Sequence, residues 1–319
     1  MFHSVDQESS QMDKIAVYND PDRRSQAQPV ASQADDDIHL INLWLRGKSP
    51  NTQEAYGRDI TQFVDNVDLP LGRVKLQHFW DWADHLEASG LVPATIARKL
   101  AALKSLFSFG HRIGYLTYNV GAAVSTPKVP DRLAERILSE PDVQCILVHE
   151  ENFRNAVLLR LFYASGARVS ELASLNWKAV QERGKENGRP VGQVVLLGKG
   201  EKTRSILLSA DTWEAMDKLK TDELSCGHGS ANDAVFRSRK GGALSRQQMW
   251  RVVKTAAKRA GLEKAISPHW LRHAHASHAL DHGAPAHLVK ETLGHKSLAT
   301  TSKYTHARPD DSSARYLAV

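Results

Sequence analysis

The stretch SPHWLRHAHASHAL, residues 267–280, is the most informative part of this 319-residue chain. Ser267 followed by Pro268 is typical of a helix start, because proline needs no backbone donor in the first turn. In such a helix His269 and Arg272 are three residues apart and lie on one face. The first turn also directs free backbone N–H groups toward an anion. We therefore expect this helix to bind a negatively charged group.

Side chains elsewhere in the chain extend this helix into a candidate reaction site. They are Arg168, Lys199, His295 and Tyr304. Arginine can donate two hydrogen bonds to a phosphate, and histidine, lysine and tyrosine can move protons or form a covalent bond. Each residue alone is also typical of ordinary packing or of an exposed surface. Together with His269 and Arg272 they predict phosphodiester exchange without a metal.

Histidines spaced four residues apart suggest a metal site as the alternative. His269 and His273 form one such pair, and His278 and His282 form another. A catalytic zinc site normally has a compact ligand set with a carboxylate or a third histidine. Arg272 lies within the first pair and would repel a cation. We therefore expect no metal and no other cofactor.

The net charge of +6 is unevenly distributed along the chain. Residues 1–37 contain eight acidic and three basic residues, whereas the remainder contains 28 acidic and 39 basic residues. A basic body favours a polyanionic partner, because neutralised phosphates release counterions. Charge alone is weak evidence, since many basic surfaces bind nothing.

Several classes of protein are disfavoured by the sequence. No apolar run approaches the roughly 20 residues that span a bilayer, and the first residues lack the pattern of a signal peptide. The two cysteines, Cys145 and Cys226, provide neither a disulfide framework nor a CxxC metal motif. We expect a cytoplasmic protein with no membrane partner.

Changes in composition along the chain predict a tail, two domains and a linker between the domains. Residues 1–37 read as a disordered acidic tail, because they are polar and show no helical or strand period. Residues 38–120 read as a helical domain, residues 121–137 as an extended linker with two prolines, and residues 138–319 as a second domain.

The clearest predicted helix of the first domain begins at Pro93. Its apolar stripe consists of Ile96, Leu100, Leu103 and Phe107. The polar side chains predicted for the rest of its surface are Thr95, Arg98, Lys99 and Lys104. Such residues usually form a solvated face, and the alternative is that they present a basic helix to DNA. We predict that they bind DNA.

The second domain mixes helices with one small sheet. Residues 141–164 read as one helix, and residues 194–197 and 205–208 read as a β-hairpin around Gly198-Lys199-Gly200. Residues 177–180 could supply a third strand. Further helices follow Ser245 and Ser267. The predicted fold class is therefore mainly α with a small antiparallel β-sheet.

Three motifs occur in a fixed order along the second domain. They are GARVSEL at 166–172, LRH at 271–273 and LGH at 293–295. Followed by Tyr304, they resemble the tyrosine recombinases, the phage integrase family. Residues 48–52 and 94–100 resemble that family's SAM-like core-binding domain, so the resemblance extends over about residues 38–310. It implies a core-binding domain and a catalytic domain that close on DNA as a two-domain clamp.

The resemblance also implies a mechanism. Tyr304 attacks a scissile DNA phosphate, forms a 3′-phosphotyrosyl bond and releases a 5′-hydroxyl. Arg168 and Arg272 neutralise the phosphate as its charge grows, and His295 donates a further hydrogen bond.

Two proton transfers accompany these steps. His269 is the expected general base for Tyr304, because a free tyrosine with a pKa of about 10 is protonated at neutral pH. Lys199 is the expected general acid for the 5′-oxygen. Lys202 is the alternative general acid, because residues 181–191 lengthen the turn before the hairpin and make the alignment of Lys199 less secure. If Lys202 is not the acid, it is expected to contact a DNA phosphate. Glu171 is expected either to orient a catalytic side chain or to form an ordinary helix salt bridge.

The resemblance predicts a site-specific recombinase that acts through a Holliday junction. It implies a tetramer on two DNA recombination sites, built from one chain or with a related recombinase. The short tail favours an Xer-like or transposon-resolving type, and leaves integration, excision, dimer resolution and cointegrate resolution open. The alternatives are a catalytically inactive DNA-binding protein of the same fold and a type IB topoisomerase.

Overall fold

The computed structural model describes residues 33–129, 133–198, 202–295, 297–302 and 304. Residues 1–32 of the predicted tail, and Lys199, lie outside these described residues. The chain divides into two compact units, Met1–Pro130 and Asp131–Val319, here called the N-terminal and C-terminal units. The division falls within the segment predicted as the linker.

The N-terminal unit is helical in its described part. Its helices are α1 (Asp37–Arg46), α2 (Pro50–Val67), α3 (Leu76–Ala88) and α4 (Pro93–Arg112), with 3-10 turns at Leu71–Arg73 and Val120–Ala123. Pro50 and Pro93 each lie in the first turn of their helix, and the helix start predicted at Pro93 is confirmed. The predicted apolar stripe of α4 is buried in the core of this unit, where it meets aromatic side chains of α2 and α3.

The C-terminal unit contains the remaining described elements. Its helices are α5 (Glu140–Val148), α6 (Phe153–Ser165), α7 (Val169–Ala173), α8 (Ala210–Ser225), α9 (Arg246–Arg259), α10 (Pro268–Asp281), α11 (Ala286–Leu293) and α12 (Leu298–Ser302). The single helix predicted for residues 141–164 is wrong. Two helices occur instead, because the side chain of Asn152 accepts from the backbone N–H of Asn155 and starts a second helix. The helix starts predicted at Ser245 and Ser267 are confirmed.

A three-stranded antiparallel sheet lies in the C-terminal unit. Its strands, in spatial order, are β1 (Val180–Glu186), β2 (Arg189–Leu197) and β3 (Thr203–Leu208). The hairpin formed by β2 and β3 and the fold class are confirmed.

The predicted position of the third strand is wrong. Residues Trp177–Ala179 form a 3-10 turn, and the strand begins at Val180. Residues 181–191 are also not a lengthened turn. They form most of β1 and the start of β2, because Asn187 and Gly188, with φ of 49° and 79°, make a tight reversal between them.

No helix among the described residues is both long enough and apolar enough to cross a membrane.

Candidate active site

Helix α10 buries Arg272 at the centre of the site. This side chain is 5% exposed, and its guanidinium donates to the backbone carbonyls of Gly166 and Leu293, the latter at 2.7 Å. Gly166 ends α6 with φ of 55°, and a Cβ there would approach Leu293 to 2.6 Å. Burial, and then the charge of Arg168, lower the pKa of Arg272 to about 10. Arg272 therefore stays charged at neutral pH while it joins the ends of α6 and α11.

Glu171 on α7 is a buried carboxylate that receives four hydrogen bonds. Arg168 donates its backbone N–H at 2.7 Å and its Nη1 at 2.9 Å. Arg204 donates Nη1 and Nη2 to the two oxygens, both at 2.7 Å. Burial by itself raises the pKa of Glu171, but the bonds from Arg204 and Arg168 bring it below its ordinary value. Glu171 is thus more than a helix salt bridge, because it also connects α7 to β3.

Arg204 was missed from the sequence. It lies on β3, where it also donates Nε to the carbonyl of Thr292 at 2.6 Å. Strand alternation contained the signal, since Ile206 and Leu208 face the core and residue 204 shares their side of the strand. A charged residue on the buried face of a strand needs an oppositely charged or hydrogen-bonding partner, because an unpaired buried charge is unfavourable.

His295 follows the left-handed glycine that ends α11. Its Nδ1 lies 2.9 Å from the buried Thr301 hydroxyl. Burial, and then Arg272 and Arg168, lower the pKa of His295 to about 4. The ring is therefore neutral near pH 7. If the hydroxyl donates to Nδ1, the ring proton is on Nε2, where it is available to an anion.

Tyr304 is buried, at 5% exposure, and its hydroxyl lies 2.7 Å from Nδ1 of His273. Burial raises the pKa of Tyr304, although Arg272 opposes this. Burial, and then His269, lower the pKa of His273 to about 4, so this ring is neutral and can accept a proton.

The histidine that contacts the tyrosine differs from the one expected. The sequence interpretation assigned the tyrosine proton to His269, but the structure places His273 at hydrogen-bond distance. The two rings lie one helical turn apart on α10, with centroids separated by 6.4 Å. Sequence reasoning gave His273 no role at the tyrosine and considered it only within the LRH motif and as a candidate metal ligand. Among the described residues no group of three or more histidine, cysteine, aspartate or glutamate residues could hold a metal ion.

A cavity of about 640 Å³ adjoins His269. Four of its lining side chains come from α9, namely Arg246, Gln247, Trp250 and Arg251. Trp250 is 43% exposed. Two arginines and an exposed aromatic ring beside the site suit a polyanion, and sequence reasoning missed all four residues.

The basic residues predicted on the surface of α4 are not all exposed. Lys99 is 6% exposed and donates to the buried Asp59 at 3.1 Å, so its predicted surface position is wrong. A buried ammonium needs a counterion, and Asp59 supplies it. Arg98 also pairs with Asp59, and Lys104 donates to the carbonyl of Val124. These two, together with the partly buried Thr95, keep their DNA-binding role as a prediction.

Lys202 is exposed at the end of the β2–β3 turn, where its carbonyl accepts from the N–H of Gly198 at 2.8 Å. Lys199 lies outside the described residues, so its role remains a prediction.

Of the residues predicted from the sequence, the structure brings Arg168, Arg272, His295 and Tyr304 into one site.

Comparisons with known proteins identify the class. The model of the phage integrase family matches residues 134–310, and the model of its N-terminal SAM-like domain matches residues 39–114. The chain belongs to the phage integrase family. It is a tyrosine site-specific recombinase.

Particular relatives are similar over most of the chain. Tyrosine recombinase XerD of Pseudomonas aeruginosa is 33% identical, with 88% of this chain and 96% of the relative covered. Tyrosine recombinase XerD of Listeria monocytogenes is 32% identical, with 85% and 93% covered.

Solved structures share the fold. XerH site-specific recombinase bound to its difH substrate has a TM-score of 0.65 at 24% identity, with 87% of this chain and 83% of that one covered. A lambda integrase tetramer bound to a Holliday junction has a TM-score of 0.68 at 20% identity, with 88% and 80% covered.

Proposed function

We propose that this chain cuts and rejoins DNA at specific sites, with Tyr304 as the nucleophile. The observation that carries this proposal is the 2.7 Å contact between the Tyr304 hydroxyl and His273, next in sequence to the buried Arg272. A tyrosine whose pKa is raised by burial needs a base beside it, and His273 is neutral at the pH of the cell.

The arginines would stabilise the phosphate during attack. The phosphodiester gains a second negative charge when the tyrosine oxygen adds to phosphorus. Arg168 and Arg272 are charged donors fixed in place before reaction, and the Nε2–H of His295 would add a neutral donor. No reorganisation of these groups is then required in the transition state.

The bonds and protons balance in two steps. The tyrosine oxygen bonds to phosphorus while its proton passes to His273, and the bond from phosphorus to the 5′-oxygen breaks. Lys199 would protonate that oxygen as it leaves. The attack of a second 5′-hydroxyl on the phosphotyrosine reverses these changes and joins the new strand, which leads to a Holliday junction.

The DNA surface would extend beyond the site. The basic cavity wall at Arg246 and Arg251 is suited to phosphates beside the scissile bond, and Lys202 to a phosphate near the hairpin. We assign residues 38–120 to a core-binding domain, 121–137 to a linker and 138–319 to the catalytic domain.

Assembly and location are inferred from the same chemistry. Strand exchange between two sites needs four active centres, hence a tetramer of this chain or of this chain with a related recombinase. The lambda integrase structure with a similar fold is a tetramer on a Holliday junction. The chain would act in the cytoplasm, where its DNA lies.

The test begins by finding the DNA site. The protein is incubated with short duplexes from the DNA around the gene. Each duplex has a nick that lets the fragment with the freed 5′-hydroxyl diffuse away after cleavage. Duplexes that remain attached in detergent are sequenced. We expect one site to be enriched by the wild type and none by Tyr304→Phe, which should still bind that site. An adduct that persists in the Phe variant would contradict the proposal.

The same site separates recombination from the alternatives. Two intact copies should yield Holliday junctions and exchanged products. Relaxation of supercoils without junctions would indicate a topoisomerase, and specific binding without any adduct would indicate an inactive DNA-binding protein.

A further inference from the structure

Two guanidinium groups share the carboxylate of Glu171, and they do so unequally. Arg204 approaches end-on and contacts both oxygens at 2.7 Å. The side chain of Arg168 contacts one oxygen, at 2.9 Å, and its Nη2 reaches only the carbonyl of Gly294, at 3.3 Å. The parallel two-bond geometry is the stronger arrangement for a guanidinium and a carboxylate. Arg204 is thus the main counterion of Glu171.

Arg204 and Arg168 also differ in how far their side chains are exposed to solvent. The side chain of Arg204 is 13% exposed, whereas that of Arg168 is 35% exposed. The less exposed arginine therefore neutralises the buried carboxylate, and the more exposed one keeps donors that are not used by Glu171.

We propose that Arg204 is a positioning residue that neutralises Glu171 and so keeps the charge of Arg168 available to the DNA phosphate. This inference rests on the proposed function. Glu171 has four acceptor positions, and Arg204 and the backbone N–H of Arg168 occupy three of them. Only one remains for the Arg168 side chain. Without Arg204, the Arg168 guanidinium can turn into a two-bond pair with Glu171, away from the substrate.

Charge balance leads to the same conclusion. Arg168, Arg204 and Arg272 surround a single carboxylate in this site. Two positive charges therefore remain, which match the two negative charges of a phosphodiester under attack. Removing Arg204 leaves one positive charge, so the penalty falls mainly on the transition state rather than on the binding of DNA.

A second contact joins Arg204 to the segment that carries His295. Its Nε donates to the carbonyl of Thr292 at 2.6 Å, and its Nη1 lies 3.4 Å from where a Cβ of Gly294 would be. Arg204 therefore also fixes strand β3 against the end of α11. A lysine at 204 could keep the charge but not all of these directed bonds.

The test compares adduct formation in four variants on the nicked duplex, each with its unfolding temperature recorded. Arg204→Met should lower the single-turnover rate by about 100-fold, similar to the loss of one transition-state donor. Arg204→Lys should fall between it and the wild type. Arg189→Met is the matched control, because Arg189 lies on the neighbouring strand and its ion pairs within the described part of the chain are with the exposed Asp211 and Glu214. It should cleave like the wild type.

The decisive variant is Arg204→Met combined with Glu171→Gln. Once Glu171 is neutral, it no longer draws Arg168 away, so the double variant should cleave at least about tenfold faster than Arg204→Met. If Arg204 had a purely structural role, the losses of cleavage rate caused by Arg204→Met and by Glu171→Gln would add. A methylphosphonate at the scissile position, which carries one negative charge less, should also reduce the defect of Arg204→Met. A double variant as slow as, or slower than, Arg204→Met overturns the proposal.

A cleavage-independent measurement separates this proposal from the proposed function. Inorganic phosphate at constant ionic strength should raise the unfolding temperature of the wild type and of the double variant, but raise that of Arg204→Met less. If the wild type forms no adduct with any DNA, the proposed function fails while this series still decides the role of Arg204. Equal phosphate effects in all three proteins would refute that role.

Discussion

Asp59 in the N-terminal unit and Glu171 in the C-terminal unit are both buried carboxylates that bind two basic side chains. Asp59 holds Arg98 and Lys99, and Lys99 is itself buried and bonded also to Gln62. Glu171 holds Arg204 and Arg168. The same local chemistry therefore occurs in both units.

The surroundings of the two carboxylates differ. Next to Glu171, Arg272 is buried with its described hydrogen bonds made to backbone carbonyls, so its charge is not spent on a carboxylate. Neutral histidines and a buried tyrosine complete that cluster. A buried ion pair by itself is therefore an element of structure, whereas surplus positive charge beside a nucleophile makes a reaction site.

Arg272 should show the largest effect. Arg272→Lys keeps a positive charge but lacks the planar, forked guanidinium that bonds two separate carbonyls while it faces a phosphate, so we expect adduct formation to fall by roughly 100- to 1,000-fold. Single-turnover cleavage of the nicked duplex measures the loss, with gel-shift binding as the control for DNA affinity. A Lys variant that cleaves like the wild type would remove Arg272 from the mechanism.

Lys199 should come next. Lys199→Ala should slow cleavage by about 100-fold or more, because the 5′-oxygen must then leave as an alkoxide. A 5′-bridging phosphorothiolate should restore its rate, since a thiolate leaves without a proton. Lys202→Ala is the matched control, with a smaller, salt-sensitive defect and no selective rescue. Rescue of the Lys202 variant instead would exchange the two assignments.

His273 should produce a change in the pH profile. The wild-type rate should rise as pH increases through the pKa of about 4 and then stay level, because neutral His273 is the base. His273→Ala should be slower by about 100-fold near neutrality and should keep gaining rate at alkaline pH, where Tyr304 loses its proton to solvent. His269→Ala is the comparison variant. If only that variant shows the alkaline rise, His269 is the base as first expected.

The pair in the N-terminal unit should affect folding. Lys99→Met should lower the free energy of unfolding by about 1–3 kcal/mol, because it removes one partner of the buried Asp59 and leaves Arg98 as the other. Urea unfolding measures this change. Arg58→Met removes an exposed ion pair and a weak backbone hydrogen bond, both to Glu54, and should have almost no effect. Equal losses in both variants would mean that Lys99 is not held as described.

Local sequence signals predicted much of the fold. Proline and serine at helix starts located α4, α9 and α10, and turn glycines located the β2–β3 hairpin. The break between α5 and α6 was missed because residues 149–152, His-Glu-Glu-Asn, contain neither proline nor glycine, and the start of the second helix is marked by the cap at Asn152. The start of β1 was missed because residues 181–186 are mostly polar and exposed.

Sequence motifs singled out side chains that lie together in the structure, but they did not predict the contacts between them. Motif order identified Arg168, Arg272, His295 and Tyr304. The role of Arg204 depends on β3 packing beside α7 and α11, which are distant in sequence. The choice of His273 over His269 depends on where Tyr304 returns to α10, and helix periodicity places both histidines on the same face.

We propose that Tyr304 attacks the phosphate without a metal, within an arginine-rich cluster. The most direct measurement is mass spectrometry of the protein–DNA adduct formed by the wild type in excess EDTA. We expect a single modified peptide, with Tyr304 joined to the 3′-phosphate of the cleaved strand, and a yield equal to that without EDTA. An adduct on another residue, or a linkage to a 5′-phosphate, would contradict this proposal. It would also be contradicted if EDTA abolished the adduct and added zinc or magnesium restored it.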